Sequence, residues 1–125
     1  MKRFWLLPVL AFAAYAADLS GAWTGTVDVA DPANGDKIST AVKAELKQSA
    51  SAVAGKIGRV QDVQMENIRD GKVDGKTVTF NVLPEEATKP LKFTLTLMTD
   101  DRMEGEMVGE IDVGKIQGKV VLTRK

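Results

Sequence analysis

Beyond residue 20, apolar residues recur at every second position in short runs separated by turn-forming residues. Trp23, Gly25, Val27 and Val29 share one face of the first run, Ile38, Thr40, Val42, Ala44 and Leu46 of the second, and Val53, Gly55 and Ile57 of the third. The pattern resumes with Val78, Phe80 and Val82, then Leu91, Phe93, Leu95 and Leu97. It ends with Met103, Gly105, Met107, Gly109 and Ile111, followed by Ile116, Gly118, Val120 and Leu122. A side-chain period of two belongs to a strand with one buried face, and nothing in these runs carries the 3.6-residue period of a helix. The chain is thereby confined to all-β architectures.

A further strand near residues 65–73 is less regular. Ile68 and Val73 lie an odd number of residues apart, so both face inward only if a bulge resets the parity, and Gly71 is the natural place for one. Turn signals separate the runs at Asp31-Pro32-Ala33-Asn34-Gly35, Ser49-Ala50-Ser51, residues 59–64, Asp74-Gly75, residues 83–90, Asp100-Asp101 and Asp112-Val113-Gly114. Seven turns imply eight strands. Short connections make sequential strands antiparallel neighbours, and a meander of that length removes its exposed edges by closing on itself. The expected fold is an eight-stranded antiparallel up-and-down barrel, with a two-sheet β-sandwich as the alternative.

The last hairpin carries its own register. With Ile111 opposite Gly114, Gly109 faces Ile116, Met107 faces Gly118, Gly105 faces Val120 and Met103 faces Leu122, so large and small residues alternate across the inner face. The same register sets Glu110 against Lys115 and Glu106 against Lys119 outside, each pair adding about 0.2–1 kcal/mol. A shift by two residues would leave Gly109 opposite Gly118 and a hole, although Asp112-Val113 is a poor two-residue loop and a longer one suits the shifted register.

Composition narrows the chemistry. The 125 residues include no His and no Cys, which excludes Ser-His-Asp and Cys-His nucleophiles, thiolate or imidazole metal sites and disulfides. Basic and acidic residues balance at 17 each, so nothing electrostatic points to nucleic acid. Lys2 and Arg3 precede an apolar run over residues 4–15, and Ala14-Tyr15-Ala16 places small residues where signal peptidase reads them. Residues 1–16 therefore read as a Sec signal peptide. The run is too short for a membrane span, which needs about 20 residues, and contains Pro8. Residues 17–125 then form one exported domain, periplasmic or secreted, with 15 basic against 17 acidic groups and Trp23, Phe80 and Phe93 as its aromatic side chains.

Two motifs invite chemical readings. Gly-x-apolar-x-Gly recurs at Gly21, Gly71, Gly105 and Gly114, and Gly-Lys-aliphatic-x-Gly-Lys stands at Gly71 and Gly114. Phosphate-cradling loops need a strand-to-helix junction, and no helical pattern follows here, so strand bending and turning are the expected roles. Glu104, Glu106 and Glu110 belong to an outer face beside lysines, which reads as a solvated strand surface rather than a metal or acid-base cluster.

Ser20-Gly21-Ala22-Trp23 opens the first strand, Thr99-Asp100-Asp101-Arg102 makes the sixth turn, and Arg124 ends the last strand. In this the chain resembles the calycins, the barrel superfamily of lipocalins and avidins, with Asp101 standing where an aromatic is usual. The resemblance implies that Arg124 packs over the face of Trp23, a cation-π contact worth about 0.5–2 kcal/mol, and that Gly21, Trp23 and Arg124 are structural. It extends to small exported bacterial barrels through residues 68–80. Residues 18–23 are also similar to the N-terminal part of secreted barrel inhibitors of bacterial metalloproteases, which carry a disulfide that this chain lacks.

The leading functional expectation is a non-catalytic monomeric barrel that binds a small apolar ligand inside, using Thr40, Val42, Phe80, Phe93, Leu95, Met103 and Met107, without metal or cofactor. Thr40 is the main polar exception on an otherwise aliphatic inner face. Alternatively the interior is filled, since eight strands are just wide enough to be packed shut, and the chain is a protein-interaction module of the cell envelope that inserts residues 17–20 into a partner. Catalysis is the least supported class, because the inward positions offer no convergent polar groups.

Overall fold

In a computed structural model, residues 18–30, 34–84, 89–111 and 114–124 are described. The expected signal segment and the loop residues Asp31, Pro32, Ala33, Asp112 and Val113 lie outside them. Eight strands follow in order: β1 (Gly21–Ala30), β2 (Lys37–Ser49), β3 (Ala52–Arg59), β4 (Glu66–Asp74), β5 (Thr77–Val82), β6 (Leu91–Thr99), β7 (Arg102–Ile111) and β8 (Gly114–Arg124). Each pairs antiparallel with its sequence neighbours, and β1 also pairs with β8 from Trp23↔Arg124 to Val29↔Gly118. The sheet is a closed up-and-down barrel, not a sandwich, and every strand edge is hydrogen-bonded to a neighbour. This architecture fits a calycin-like barrel.

Closure depends on the alternation. Val27, Val42, Ala44, Leu46, Val53, Ile57, Val78, Phe80, Val82, Phe93, Leu95, Met103, Met107, Val120 and Leu122 all point inward into one core, joined by Leu19 and Trp23. No polar or charged residue among those described is buried. The β7–β8 register is Ile111↔Gly114, Gly109↔Ile116, Met107↔Gly118, Gly105↔Val120 and Met103↔Leu122, as the large-small complementarity predicts. The outer charges sit opposite each other in the same way, but they choose other partners. Glu110 pairs with Lys89 at 3.2 Å, and Glu106 accepts a hydrogen bond from the Gln117 side chain at 3.0 Å.

The parity reset in β4 is present, displaced by one residue from Gly71. Arg69 pairs with Asn81 and Lys72 with Thr79, so one extra residue sits on β4, and the β3 side shows the same offset. The left-handed residue is Asp70, at φ 55°. Asp is one of the few residues besides Gly that take up that conformation singly, and across the ladder Asp70 Oδ2 accepts a bond from Asn81 Nδ2 at 3.3 Å. Gly71 serves a different purpose. A Cβ there would lie 2.0 Å from the Val53 carbonyl oxygen, so its missing side chain admits the adjacent strand.

Candidate functional site

The two ends of the barrel are built differently. At the first, Trp23 is wholly buried and its indole Nε1 donates to the Leu19 carbonyl at 2.9 Å. Arg124 Cζ stands 4.5 Å from the Trp23 ring centroid. Its guanidinium donates to the carbonyls of Asp18 (2.7 Å), Ser20 (2.9 Å) and Asp100 (2.9 Å) and meets the Asp101 carboxylate at 3.2 Å. The Asp101 carboxylate completes the cation's shell. Gly21 lies alongside, where an added Cβ would touch Arg124 at 3.5 Å. Leu19 is buried and its N–H donates to Gln48 Oε1, while Ser20 Oγ accepts from the Gln48 amide. Asp18, Leu19 and Ser20, the described part of the segment considered for insertion into a partner, thus form the plug of this end.

The opposite end opens into a cavity of about 400 Å³. Of the interior positions read from the sequence, Thr40, Val42, Phe93 and Met107 line it. Phe80, Leu95 and Met103 do not; they are fully buried in the layers toward Trp23. Phe80 stacks on Phe93 with centroids 4.8 Å apart and planes 14° from parallel, so this pair forms the boundary between the filled half and the open half. The interior is consequently neither wholly filled nor wholly open.

The polar part of the wall comes from β3, β4 and the loop between them. Arg59, Asp62, Gln64 and Glu66 line the cavity beside the aliphatic Val27, Val29, Ile57, Val82 and Leu91. Arg59 and Glu66 correct the expectation that Thr40 is the main polar group inside. They continue the inward parity of Ile57 and Ile68 by two residues each, and Glu66 sits directly opposite Ile57 in the ladder. Extending those alternations to the strand ends would have found them.

The loop is held by one ion pair. Arg59 Nη2 lies 3.0 Å from Asp62 Oδ1, the Arg59 amide donates to Asp62 Oδ2 at 3.0 Å, and the Asp62 amide returns a bond to the Arg59 carbonyl at 3.0 Å. Hydrogen bonds from Arg59 lower the Asp62 carboxyl from its ordinary value, with Arg59 and Lys43 charge adding to the effect. A carboxyl with a depressed folded pKa adds stability above its unfolded value, and that contribution disappears as pH falls through the folded one. Asp62→Asn is therefore expected to melt below the parent at neutral pH, and the two midpoints should converge in acid. A gap that persists to strongly acidic pH would refute this. Val63, at the tip of the loop, is 99% exposed, and Val60 and Ile38 are about half exposed, so aliphatic side chains ring the mouth.

No protein-family model matches the chain, and no curated protein is detectably similar to it.

Proposed function

We propose that the protein is a non-catalytic, exported barrel of calycin type that binds a small apolar ligand through its open end. The observation that carries this reading is the cavity above the Phe80–Phe93 stack, bounded mainly by apolar side chains. Its volume is toward the lower end of the roughly 300–1,000 Å³ usual for small-molecule sites, which suits a single aliphatic chain or a small ring system. The Arg124–Trp23 closure supports the calycin assignment, and the basic-apolar N-terminus over residues 2–16 supports export.

The test is thermal unfolding followed by Trp fluorescence with fatty acids, isoprenoids and aromatic amphiphiles. Trp23 is the single Trp of residues 17–125 and sits in the filled half, so it reports unfolding. A ligand at 100 times its Kd adds about 2.7 kcal/mol, expected to raise the midpoint by roughly 10 °C. If the whole panel leaves the midpoint unchanged, the reading fails. The envelope interaction module would then be favoured, with exposed Ile38, Val60 and Val63 as its contact surface.

A further inference from the structure

The polar side of the cavity is chemically one-sided. Among the described residues three charged side chains line it, and two of them are engaged with each other: Arg59 Nε meets Asp62 Oδ1 at 3.1 Å and Oδ2 at 3.3 Å, beside the Nη2 contact. That leaves Glu66 as the lining charge without a bonded counter-charge among the described residues. It is half-buried, on the inward side of β4 opposite Ile57, and makes no hydrogen bond or ion pair among the described residues. Gln64 and Thr40, also in the lining, likewise have no hydrogen-bonding partner for their side chains there. Lys89, which precedes the lining residue Leu91 by two positions, is bonded to Glu110. The wall therefore presents one carboxylate, which only accepts, beside an amide and a hydroxyl that can donate or accept.

We infer that the ligand is an amphiphile with a cationic ammonium head, seated so that the head meets Glu66 while its chain lies against Leu91, Phe93 and Met107. This rests on the cavity being a binding site and specifies what it selects. An ammonium carries three donors and no acceptor, which matches Glu66, Gln64 and Thr40 together. Its charge-assisted bond to a half-buried carboxylate is stronger than a neutral one. A carboxylate head meets the reverse: like charge at Glu66, and an arginine already committed to Asp62. It would either leave Glu66 unpaired beside it or break the clasp that holds the loop.

The experiment measures Kd by calorimetry for decylammonium, decanol and decanoate, at neutral pH and low salt, on the parent protein, Glu66→Gln and Glu106→Gln. Decylammonium is expected to bind the parent at least about tenfold tighter than decanoate, with decanol between them. Glu66→Gln should abolish that preference while binding decanol as the parent does, which also shows that the variant is folded. Glu106 lies on the outer face, so Glu106→Gln should keep the preference; its loss there would mean that net charge, not the site, attracts the amine. Decanoate binding as tightly as decylammonium, or a preference that survives in Glu66→Gln, overturns the inference while leaving the cavity reading intact. Failure of all three probes to bind removes the inference, and an unmoved midpoint across the thermal panel as well removes the cavity reading with it.

Discussion

Trp23→Ala is expected to cost about 3–5 kcal/mol, the usual range for truncating a large buried aromatic, and to lower the melting midpoint by some 15–30 °C. Trp23 is fully buried, and Arg124 is stacked on it. Removing the indole takes away the surface on which the guanidinium rests and leaves the Leu19 carbonyl without its donor. Trp23→Phe keeps a smaller ring beneath Arg124 while losing the N–H bond and part of the buried volume, so a lower cost, of about 1–3 kcal/mol, is expected. Chemical denaturation followed by far-ultraviolet circular dichroism measures both, since the fluorescent probe is gone. A loss below about 1 kcal/mol for the alanine variant would show that the plugged end contributes little to stability.

Gly25→Val should be still more damaging, and for a reason of backbone geometry. Gly25 pairs with Val42 on one side and Leu122 on the other, where β1 meets β8 and the barrel closes. A Cβ at this position would stand 1.7 Å from the Val121 carbonyl oxygen and 2.7 Å from its carbon. Backbone cannot swing aside as a side-chain tip can, so the cost is expected to exceed the roughly 1–3 kcal/mol of ordinary overpacking. Hydrogen exchange should show protection lost first along β1 and β8. Thr26→Ala, one residue on and exposed, is the control and should stay within about 0.5 kcal/mol. Native-like exchange in Gly25→Val would mean that the two strands can separate at this point without opening the barrel.

The strand count and the last register were legible because residues of unequal size have one economical arrangement: Met107 over Gly118 and Gly105 under Val120 leave neither clash nor hole. The bulge was half legible. The parity of Ile68 and Val73 demanded it, but two properties of glycine, tolerance of positive φ and lack of bulk, are divided here between Asp70 and Gly71. The cavity was the least legible feature. Both halves of the interior draw on Val, Leu, Met and Phe, and no linear pattern says which layer is filled once eight strands are wrapped together. Arg59 was read as the start of a turn, although it closes β3 and its pairing with Val42 aligns it with the wall. Glu66 fell in the one irregular strand, where the alternation was hardest to extend.

The Arg124 latch also bears on how the chain reaches this fold. The guanidinium joins carbonyls at residues 18, 20 and 100, so two of its bonds span more than a hundred positions. The β1–β8 ladder is similarly remote in sequence, whereas every other ladder joins strands adjacent in the chain. Loop-closure entropy opposes so distant a contact until the hairpins between have already drawn the ends together. With that cost, the seven local pairings leave an open curl until β8 meets β1, and a chain interrupted before Arg124 has neither the cation nor the full ladder with which to shut it. The contacts that shut the barrel are the ones the last strand brings.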